Sequence, residues 1–337
     1  DTMALRLLVN TGLLAIPIGG SVGTLLGIDA HRSATGQPPL FTNNGNSNTG
    51  SGSGSGSDST GGGSGGSGST TNNGVTNTQY CQNSYGISPP SDGQLYTLNP
   101  NQWGVTDSTS GALCMNVTTF NNETYPTKYT APGFSATWQF DAGPSTQPVH
   151  AYPNIMVDDI LPIELDKMTQ VDLDLHWTYG VGNTAAASTD EDTLTAANLQ
   201  TNVAIDMFFD SDKTNAANST LAKYEVMVWF ADYGSSAQPI GLSAGAVTTK
   251  TLNGTTFELY TGTNSANQSV LSWCATEATE KFTGDIYPLI TDLYTLTGDN
   301  YPSNTDYMGI FQFGTEAFSV DKNVTFSVPK LSVDIQK

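Results

Sequence analysis

Residues 224–230 read Tyr-Glu-Val-Met-Val-Trp-Phe, a run of β-branched and aromatic residues that predicts a strand. Successive side chains of a strand point to opposite faces of its sheet. One face is suited to a core and carries Tyr224, Val226, Val228 and Phe230. The other face carries Glu225, Met227 and Trp229. A carboxylate, a thioether and an indole suit a binding cleft better than open solvent or a dry core, although a solvated Glu225 beside two incidental apolar residues is the alternative.

Similar runs recur from Gln79 onward and are separated by turn clusters. They predict strands at 134–140, 170–179, 203–209, 256–260, 270–275, 310–313 and 324–328. A helical period occurs only at 285–294. Many short strands with one short helix predict an all-β fold, a sandwich of two antiparallel sheets.

A second carboxylate lies in a comparable setting near the end of this series. Residues 311–318 read Phe-Gln-Phe-Gly-Thr-Glu-Ala-Phe, which places Gln312, Gly314 and Glu316 on one face. Gly314 lets a ligand or another backbone approach closely. Hydrolysis of a glycosidic bond needs two carboxyls beside the bond, about 5–5.5 Å apart when a covalent intermediate forms. Glu225 and Glu316, on separate strands of one curved sheet, are candidates for that pair.

Asp206 lies in an otherwise apolar strand, so we expect it to be paired or hydrogen-bonded if it is buried. Beside a nucleophile, it could hold a proton and orient the partner carboxylate, with the two titrating as a coupled pair. The alternative is an ordinary aspartate at a sheet edge.

The balance of charge narrows the class of partner. The chain has 11 Lys and Arg against 31 Asp and Glu, a formal net charge of −20, and no cluster of basic residues. Nucleic acid would be repelled. A surface rich in Thr, Ser, Asn and Gly with few charges fits a neutral polar partner such as a carbohydrate.

The first 78 residues lack the apolar content of a core. Residues 7–28 are apolar to small and long enough to cross a bilayer, so 1–40 is interpreted as an uncleaved signal-anchor, a cleaved signal peptide or a disordered pro-segment. Residues 41–78 are dominated by Gly, Ser, Asn and Thr and predict a flexible linker. The folded domain is predicted at 79–337, and its location is predicted to be extracellular, secreted or tethered to the cell surface.

The sequons and cysteines agree with export. Six Asn-x-Ser/Thr sequons favour a eukaryotic secretory route and begin at Asn116, Asn122, Asn218, Asn253, Asn267 and Asn323. An oxidising compartment would permit Cys81 and Cys114 to pair. Cys274 lies in a strand-like run and is interpreted as a buried free thiol rather than a nucleophile, because no histidine is a plausible neighbour in sequence.

A metal site is a competing interpretation of one strand. Asp172, Asp174 and His176 alternate on one face, but the opposite face is a clean core stripe, so solvation explains the polar face. His31 and His150 add too few members for a zinc site or a Ser-His-Asp triad. We therefore expect no metal and no cofactor.

Several segments follow one another in a recognisable order. They are Asn101-Gln102-Trp103-Gly104, Trp138-Gln139-Phe140, the Asp206 strand from Asn202, the Glu225 strand, and Gly314-Thr315-Glu316-Ala317-Phe318. This series, spread over about residues 80–335, resembles glycoside hydrolase family 12, the small β-jelly-roll endoglucanases and xyloglucanases.

The resemblance implies a jelly roll with a concave substrate cleft and a disulfide between Cys81 and Cys114. It makes Glu225 the nucleophile, Glu316 the general acid/base and Asp206 the carboxylate that supports Glu225. The substrate-binding residues that it implies are Trp103, Trp229, Met227, Gln312 and Trp138.

The implied function is that of a retaining endo-β-1,4-glucanase, a monomer that binds β-1,4-glucan polysaccharide and cleaves its internal bonds. Xyloglucan is the alternative substrate. A non-catalytic glucan-binding wall protein is the alternative of another class, and it would tolerate loss of either glutamate.

Two features depart from the family pattern. Ser319-Val320-Asp321 follows the last motif where the family often has Thr-Gly, so the local turn is expected to differ. Residues 182–200 look like an insertion, which could alter substrate choice if it overhung the cleft.

Overall fold

The alternating runs form strands in the computed structural model, which describes residues 68–72, 74–83, 86–87, 95–120, 125–158 and 160–337. The predicted apolar segment at 1–40 and most of the predicted linker lie outside the described residues. None of the helices in the described ranges combines the length and the apolar character that crossing a membrane requires.

The described residues form seventeen strands and three α-helices, with two 3-10 turns at Leu165–Lys167 and Leu242–Ala244. The strands are β1 (Gly68–Asn72), β2 (Val75–Tyr80), β3 (Tyr96–Asn99), β4 (Gly111–Phe120), β5 (Gly133–Phe140), β6 (Asn154–Val157), β7 (Ile163–Glu164), β8 (Gln170–Val181), β9 (Gln200–Asp210), β10 (Tyr224–Tyr233), β11 (Thr248–Leu252), β12 (Thr255–Thr263), β13 (Ser269–Ala275), β14 (Lys281–Asp285), β15 (Tyr307–Gly314), β16 (Ala317–Ser319) and β17 (Val324–Gln336). The helices are α1 (Glu191–Ala196), α2 (Lys213–Ala216) and α3 (Tyr287–Leu293). All the predicted strands and the predicted helix, α3, are confirmed.

The strands form two sheets. The seven-stranded sheet has the order β1, β2, β4, β5, β17, β8 and β14. The ten-stranded sheet has the order β11, β12, β13, β10, β9, β15, β6 and β3, with β16 beside β9 and β7 beside β15. The predicted sandwich is therefore confirmed. One pair differs from the antiparallel expectation, because β10 and β13 run parallel.

The core lies between the two sheets and follows from the alternation of side chains. Val226, Val228 and Phe230 of β10 are fully buried. Aromatic rings join the sheets: Phe230 lies 5.7 Å from Phe282 of β14, measured between ring centroids, and Phe313 of β15 lies 6.1 Å from Phe326 of β17. The other face of β10 is thereby left for Glu225, Met227 and Trp229.

The seven-stranded sheet begins earlier in the chain than the sequence predicted. β1 and β2 pair as an antiparallel hairpin, and β2 pairs with β4, so the sheet includes the end of the predicted linker. Cys81, directly after β2, forms a disulfide with Cys114 of β4, which confirms the predicted pairing.

Residues 182–200, predicted as an insertion, pack on the seven-stranded sheet and the core. The Thr178 hydroxyl, on the face of β8 turned away from the core, donates to the Ala186 carbonyl at 3.0 Å. Helix α1 is capped by the Asp190 carboxylate, which accepts from the Thr193 amide at 3.3 Å, and it buries Leu194 in the core. These contacts lie on the opposite side of the core from Glu225.

The polar stripe of β8 has ordinary surface contacts. Asp174 forms an ion pair with Lys330 and accepts a hydrogen bond from the Thr283 hydroxyl at 3.2 Å. In the described ranges, no group of three or more His, Cys, Asp or Glu side chains is placed to hold a metal ion.

Candidate active site

The face of the ten-stranded sheet turned away from the core, called the site face below, carries most of the predicted site residues. Its central strands are β10, β9 and β15 in adjacent positions. Met227 pairs with Asp206 across β10 and β9, and Asp206 pairs with Gln312 across β9 and β15. Because these residues are in register, their side chains project to the same side, with Glu225 diagonal to Asp206.

Glu225 is held by an amide network. Its side chain is only 4% exposed, and the Asn264 Nδ2 donates to its Oε2 at 2.9 Å. Asn264 is in turn fixed by Gln268, whose Oε1 accepts from the same nitrogen at 2.8 Å. Burial raises the pKa of Glu225, whereas the bond from Asn264 stabilises its charged form and lowers the pKa.

Glu316 follows the end of β15 and is held at two points by Asn202 of β9. The Asn202 Nδ2 donates to the Glu316 carboxylate, and the Asn202 Oδ1 accepts from the Glu316 amide at 3.0 Å. Burial and the nearby charge of Glu225 raise the pKa of Glu316 to about 8. The hydrogen bond from Asn202 acts in the opposite direction and lowers this pKa. The side chain remains partly exposed, so a ligand can reach it.

Gly314, two residues before Glu316, is required by close packing of the backbone. A Cβ atom at this position would lie 2.3 Å from the Pro153 carbonyl oxygen, just before β6. Gly314 therefore allows the backbone at Pro153, rather than a ligand, to approach closely. This contact packs the end of β15 against β6.

Asp206 is fully buried between the two glutamates. Neither of its carboxylate oxygens has a side-chain hydrogen-bond partner in the part of the chain that the structure describes. Burial, followed by the charges of Glu225 and Glu316, raises its pKa well above the ordinary value. Burial without a side-chain partner disfavours the charged form of Asp206, whereas the hydrogen bond from Asn264 favours the charged form of Glu225.

Met227 and Trp229 form a small apolar cluster on the site face with Ala204 and Cys274. The Trp229 Nε1 donates to the Met227 Sδ at 3.3 Å, which fixes the indole beside the carboxylates. Cys274 is a buried free thiol, as predicted, and burial raises its pKa. Cys274 is part of this cluster on the site face and does not lie between the sheets.

The remaining predicted binding residues have different positions. Gln312 is buried on the site face, with its Nε2 at 3.8 Å from the Met156 Sδ. Trp103 is half-buried on the loop after β3 and packs against Phe318, two residues beyond Glu316. Trp138 is not brought to the site: it is 1% exposed in the core, where its Nε1 donates to the Tyr179 hydroxyl at 2.7 Å.

Three residues of the site were absent from the sequence prediction: Asn202, Asn264 and Tyr152. Tyr152 is fully buried and donates to the Ala204 carbonyl at 2.9 Å. Burial and then the charges of Asp206, Glu316 and Glu225 raise its pKa, so its hydroxyl stays protonated beside all three carboxyls. Asn202 could have been found from the sequence, because it alternates with Ala204 and Asp206 on one face of β9.

The turn after β16, where the sequence departs from the expected motif, is held by backbone and side-chain hydrogen bonds. The Val320 amide donates to the Phe140 carbonyl at 2.9 Å and the Asp321 amide to the Ala197 carbonyl at 3.0 Å. The Asn198 side chain donates to the Asp321 carboxylate at 2.6 Å. The last residues of the insertion therefore support the turn that follows Glu316.

The arrangement combines three carboxyls whose pKa values burial raises and whose hydrogen-bond partners differ. The three ion pairs found in the described ranges all lie elsewhere, so no basic side chain neutralises them. A carboxylate stabilised by a hydrogen bond and a carboxyl whose pKa is raised by burial and a nearby charge are the two kinds of group that nucleophilic attack and proton donation at one bond require.

Comparison with known proteins agrees with this chemistry. The family model for glycosyl hydrolase family 12 matches residues 94–336. The chain is 28% identical over 235 residues to the xyloglucan-specific endo-β-1,4-glucanase A of Emericella nidulans, covering 70% of this chain and 83% of that protein. It is 27% identical over 242 residues to the enzyme of the same name from Aspergillus niger, covering 72% and 86%.

Among solved structures, the chain is similar to endoglucanase 3 of Trichoderma harzianum, with a TM-score of 0.59 and 26% identity over 77% of this chain and 97% of that one. The Humicola grisea Cel12A catalytic domain, solved with a thio cellotetraose, gives a TM-score of 0.59 at 23% identity over 76% and 98%, a likeness of fold.

Proposed function

Because the chain belongs to glycosyl hydrolase family 12 and is an endo-β-1,4-glucanase, we propose that Glu225 and Glu316 divide the cleavage of the β-1,4-glucosidic bond between them. The observation that carries this proposal is that three carboxyls with different surroundings lie together on one site face. Asn264 donates to Glu225, Asn202 holds Glu316, and Asp206 is fully buried without a side-chain partner. Glu225 is the nucleophile, Glu316 the general acid/base, and Asp206 the protonated neighbour that supports Glu225.

In the first step, an oxygen of the Glu225 carboxylate attacks the anomeric carbon. The bond from that carbon to the glycosidic oxygen breaks, and Glu316 gives its proton to the leaving oxygen. The raised pKa of Glu316 suits it to hold a proton until this moment. The products are a glycosyl ester on Glu225 and a free chain end.

In the second step, the Glu316 carboxylate removes a proton from water as the water oxygen attacks the same carbon. The ester bond to Glu225 breaks, and both carboxyls return to their starting protonation states. Two inversions at one carbon give net retention. The hydrogen bond from Asn264 stabilises the Glu225 charge both before attack and after release.

Asp206 supports this cycle through its proton. A second full charge beside Glu225 would raise the energy of the nucleophile's ionised form. A protonated Asp206 avoids that repulsion and can donate a hydrogen bond toward Glu225. Its complete burial beside the Glu225 charge supports the protonated form that this role requires.

Internal β-1,4-glucan bonds, as in cellulose-like and mixed-linkage chains, are the proposed targets, with Trp103, Trp229, Met227 and Gln312 binding the sugar units. Xyloglucan is the second candidate substrate, because the two curated relatives described above carry that specificity in their names. Release of reducing ends from carboxymethylcellulose, barley β-glucan and tamarind xyloglucan, measured in parallel, ranks the three substrates.

The catalytic assignment is tested by Glu225→Gln. We expect the rate on soluble β-glucan to fall at least about a thousandfold, because the amide cannot form the ester intermediate. Circular dichroism and thermal unfolding check that the fold is intact. A folded variant that retains more than a few per cent of the parent rate contradicts the role of Glu225. Product anomer analysis by NMR tests retention.

The protein is further proposed to act outside the cell as a monomer, secreted or tethered through residues 1–40 and the linker at 41–78. The Cys81–Cys114 disulfide supports an oxidising compartment, and the sequons support passage through a secretory route. Fractionation of cells that express the full chain, with glycosidase treatment to reveal N-glycans, tests this location.

A further inference from the structure

A cavity lies on the opposite side of the molecule from the carboxylates. It has a volume of about 720 Å³ and opens on the face of the seven-stranded sheet turned away from the core. The residues of this outer groove that bear on its chemistry are Phe120, Tyr125, Ala185, Ser135, Ser327 and Pro329. None of them belongs to the site face.

The groove is a product of two irregularities in the chain. The register of β17 against β8 shifts between Ser327 and Lys330. Val328 stays buried and paired with Phe134 of β5, whereas Pro329 is exposed and lines the groove. Ala185 belongs to the insertion, which packs on this face and forms one wall. Ala185 of the insertion therefore helps to shape this groove, while the last residues of the insertion support the turn after Glu316.

The chemistry of the groove favours a neutral, polyhydroxylated ligand. Phe120 is 41% exposed although it is a large apolar side chain, and it meets Tyr125 edge to face with ring centroids 5.8 Å apart. The exposed Phe120 ring, supported by the partly buried Tyr125, offers an apolar surface to a flat ligand. Ser135 and Ser327 supply hydroxyls on the floor. The charged lining residues Asp174 and Lys330 neutralise each other in an ion pair.

We propose that the outer groove is a second binding site for a β-1,4-glucan chain, separate from the site of cleavage. Pyranose rings have apolar faces and hydroxylated edges, which match the aromatic pair and the serine floor. The inference rests on the proposed function, since the substrate there is a long polymer of such rings. A polymer held in the groove raises the local concentration of its other segments at the site face.

The test compares polymer binding with oligosaccharide cleavage. Binding is measured as retardation in native gels that contain barley β-glucan or tamarind xyloglucan, in the Glu225→Gln background so that the polymer is not digested. Phe120→Ala with Tyr125→Ala removes the rings, and Ala185→Trp fills the groove while keeping them. Leu221→Ala, at an apolar residue 59% exposed outside the groove, is the matched control.

We expect the double variant and Ala185→Trp each to weaken polymer binding roughly three- to tenfold, with no change for Leu221→Ala. With Glu225 intact, cleavage of cellotetraose should equal that of the parent in every variant. Unchanged polymer retardation in Ala185→Trp and in a folded double variant overturns the proposal.

Polymer binding could also stay the same in these variants but increase once the N-glycans are removed enzymatically. That result would assign the groove to a glycan of the chain itself, and it would also overturn the proposal. If the parent cleaves neither cellotetraose nor polymer, the proposed function is contradicted instead. Cleavage is measured separately from polymer binding, so the two failures can be distinguished.

Discussion

Asn202 holds the Glu316 side chain and backbone at the same time, through its Nδ2 and its Oδ1. The acid/base group is thus fixed relative to β9, the strand that also carries Asp206. Thr201 extends this support, since its hydroxyl donates to the Glu316 carbonyl at 2.6 Å. An asparagine can serve here because it offers one donor and one acceptor on a short side chain.

Replacing Asn202 with alanine should lower kcat on β-glucan about 10- to 100-fold, because the acid/base carboxyl loses its fixed position. The lost hydrogen bond also favoured the charged form of Glu316, so the pKa of Glu316 should rise and the alkaline limb of activity should move to higher pH. Kinetics over a pH series measure both effects. Asn304→Ala, an exposed asparagine away from the site, is the control, and an unmoved alkaline limb contradicts the role of Asn202.

The alkaline limb itself should reflect Glu316. Below its pKa of about 8 the group holds the proton that the leaving oxygen requires, and above it the proton is lost. The value of kcat/KM on β-glucan should therefore fall about tenfold per pH unit above the pKa. An aryl cellobioside with an acidic phenol needs no proton at departure and should not show this decline. Equal declines for both substrates would assign the limb to another group.

At the scale of the elements, the alternation of apolar and polar residues is sufficient to predict the central strands and their two faces. In β10 and β9 every second residue is apolar over a long run, so the core face and the site face could be separated before any contact was known. The same rule applied to β5 places Phe134, Ala136, Trp138 and Phe140 in one buried stripe. Trp138 was assigned to the substrate by family resemblance alone, against its own alternation.

For other elements the sequence carries too little signal to predict them. Helix α1 has six residues and buries only Leu194, so no helical period could be detected, and its Asp190 cap was its one local marker. Asn264 reaches Glu225 from 39 residues away, across the connection between β12 and β13. That contact depends on the parallel pairing of β10 with β13, which no local pattern encodes.

Gly314→Ala should destabilise the junction of β15 with β6 by about 2 kcal/mol or more, because its Cβ would lie 2.3 Å from the Pro153 carbonyl oxygen. Gly133→Ala is the matched control in a strand of the other sheet, since its Cβ would meet nothing nearer than 3.7 Å. The control should be neutral or slightly stabilising. Urea unfolding measures both, and equal effects in the two variants would remove the steric explanation.

At the scale of the whole molecule, the buried carboxyls should make stability depend on pH. The folded-state pKa values of Asp206, Glu225 and Glu316 are raised, so the folded protein binds more protons than the unfolded chain between about pH 4.5 and 8. The free energy of unfolding should then fall as pH rises through this window, by at least about 2 kcal/mol. Self-repulsion at a net charge of −20 acts in the same direction. Burial lowers the pKa of His150, so this one group makes stability rise with pH and opposes the trend.

Urea unfolding at pH 4.5 and pH 8 measures this difference. Glu316→Gln should reduce the decline, since one of the raised groups no longer titrates. A free energy of unfolding that rises steadily toward pH 8 would contradict the claim that the folded protein binds more protons than the unfolded chain in this window.

The position of β17 also determines when the domain can fold during its synthesis. β17 lies between β5 and β8 and pairs with both, although it follows every other strand in the chain. Until the ribosome has made residues 324–336, the seven-stranded sheet consists of two unjoined parts. Pairings this distant in sequence form slowly. The seven-stranded sheet can therefore be completed only after β17 has been made, and its two parts stay unjoined while the strands before it are synthesised.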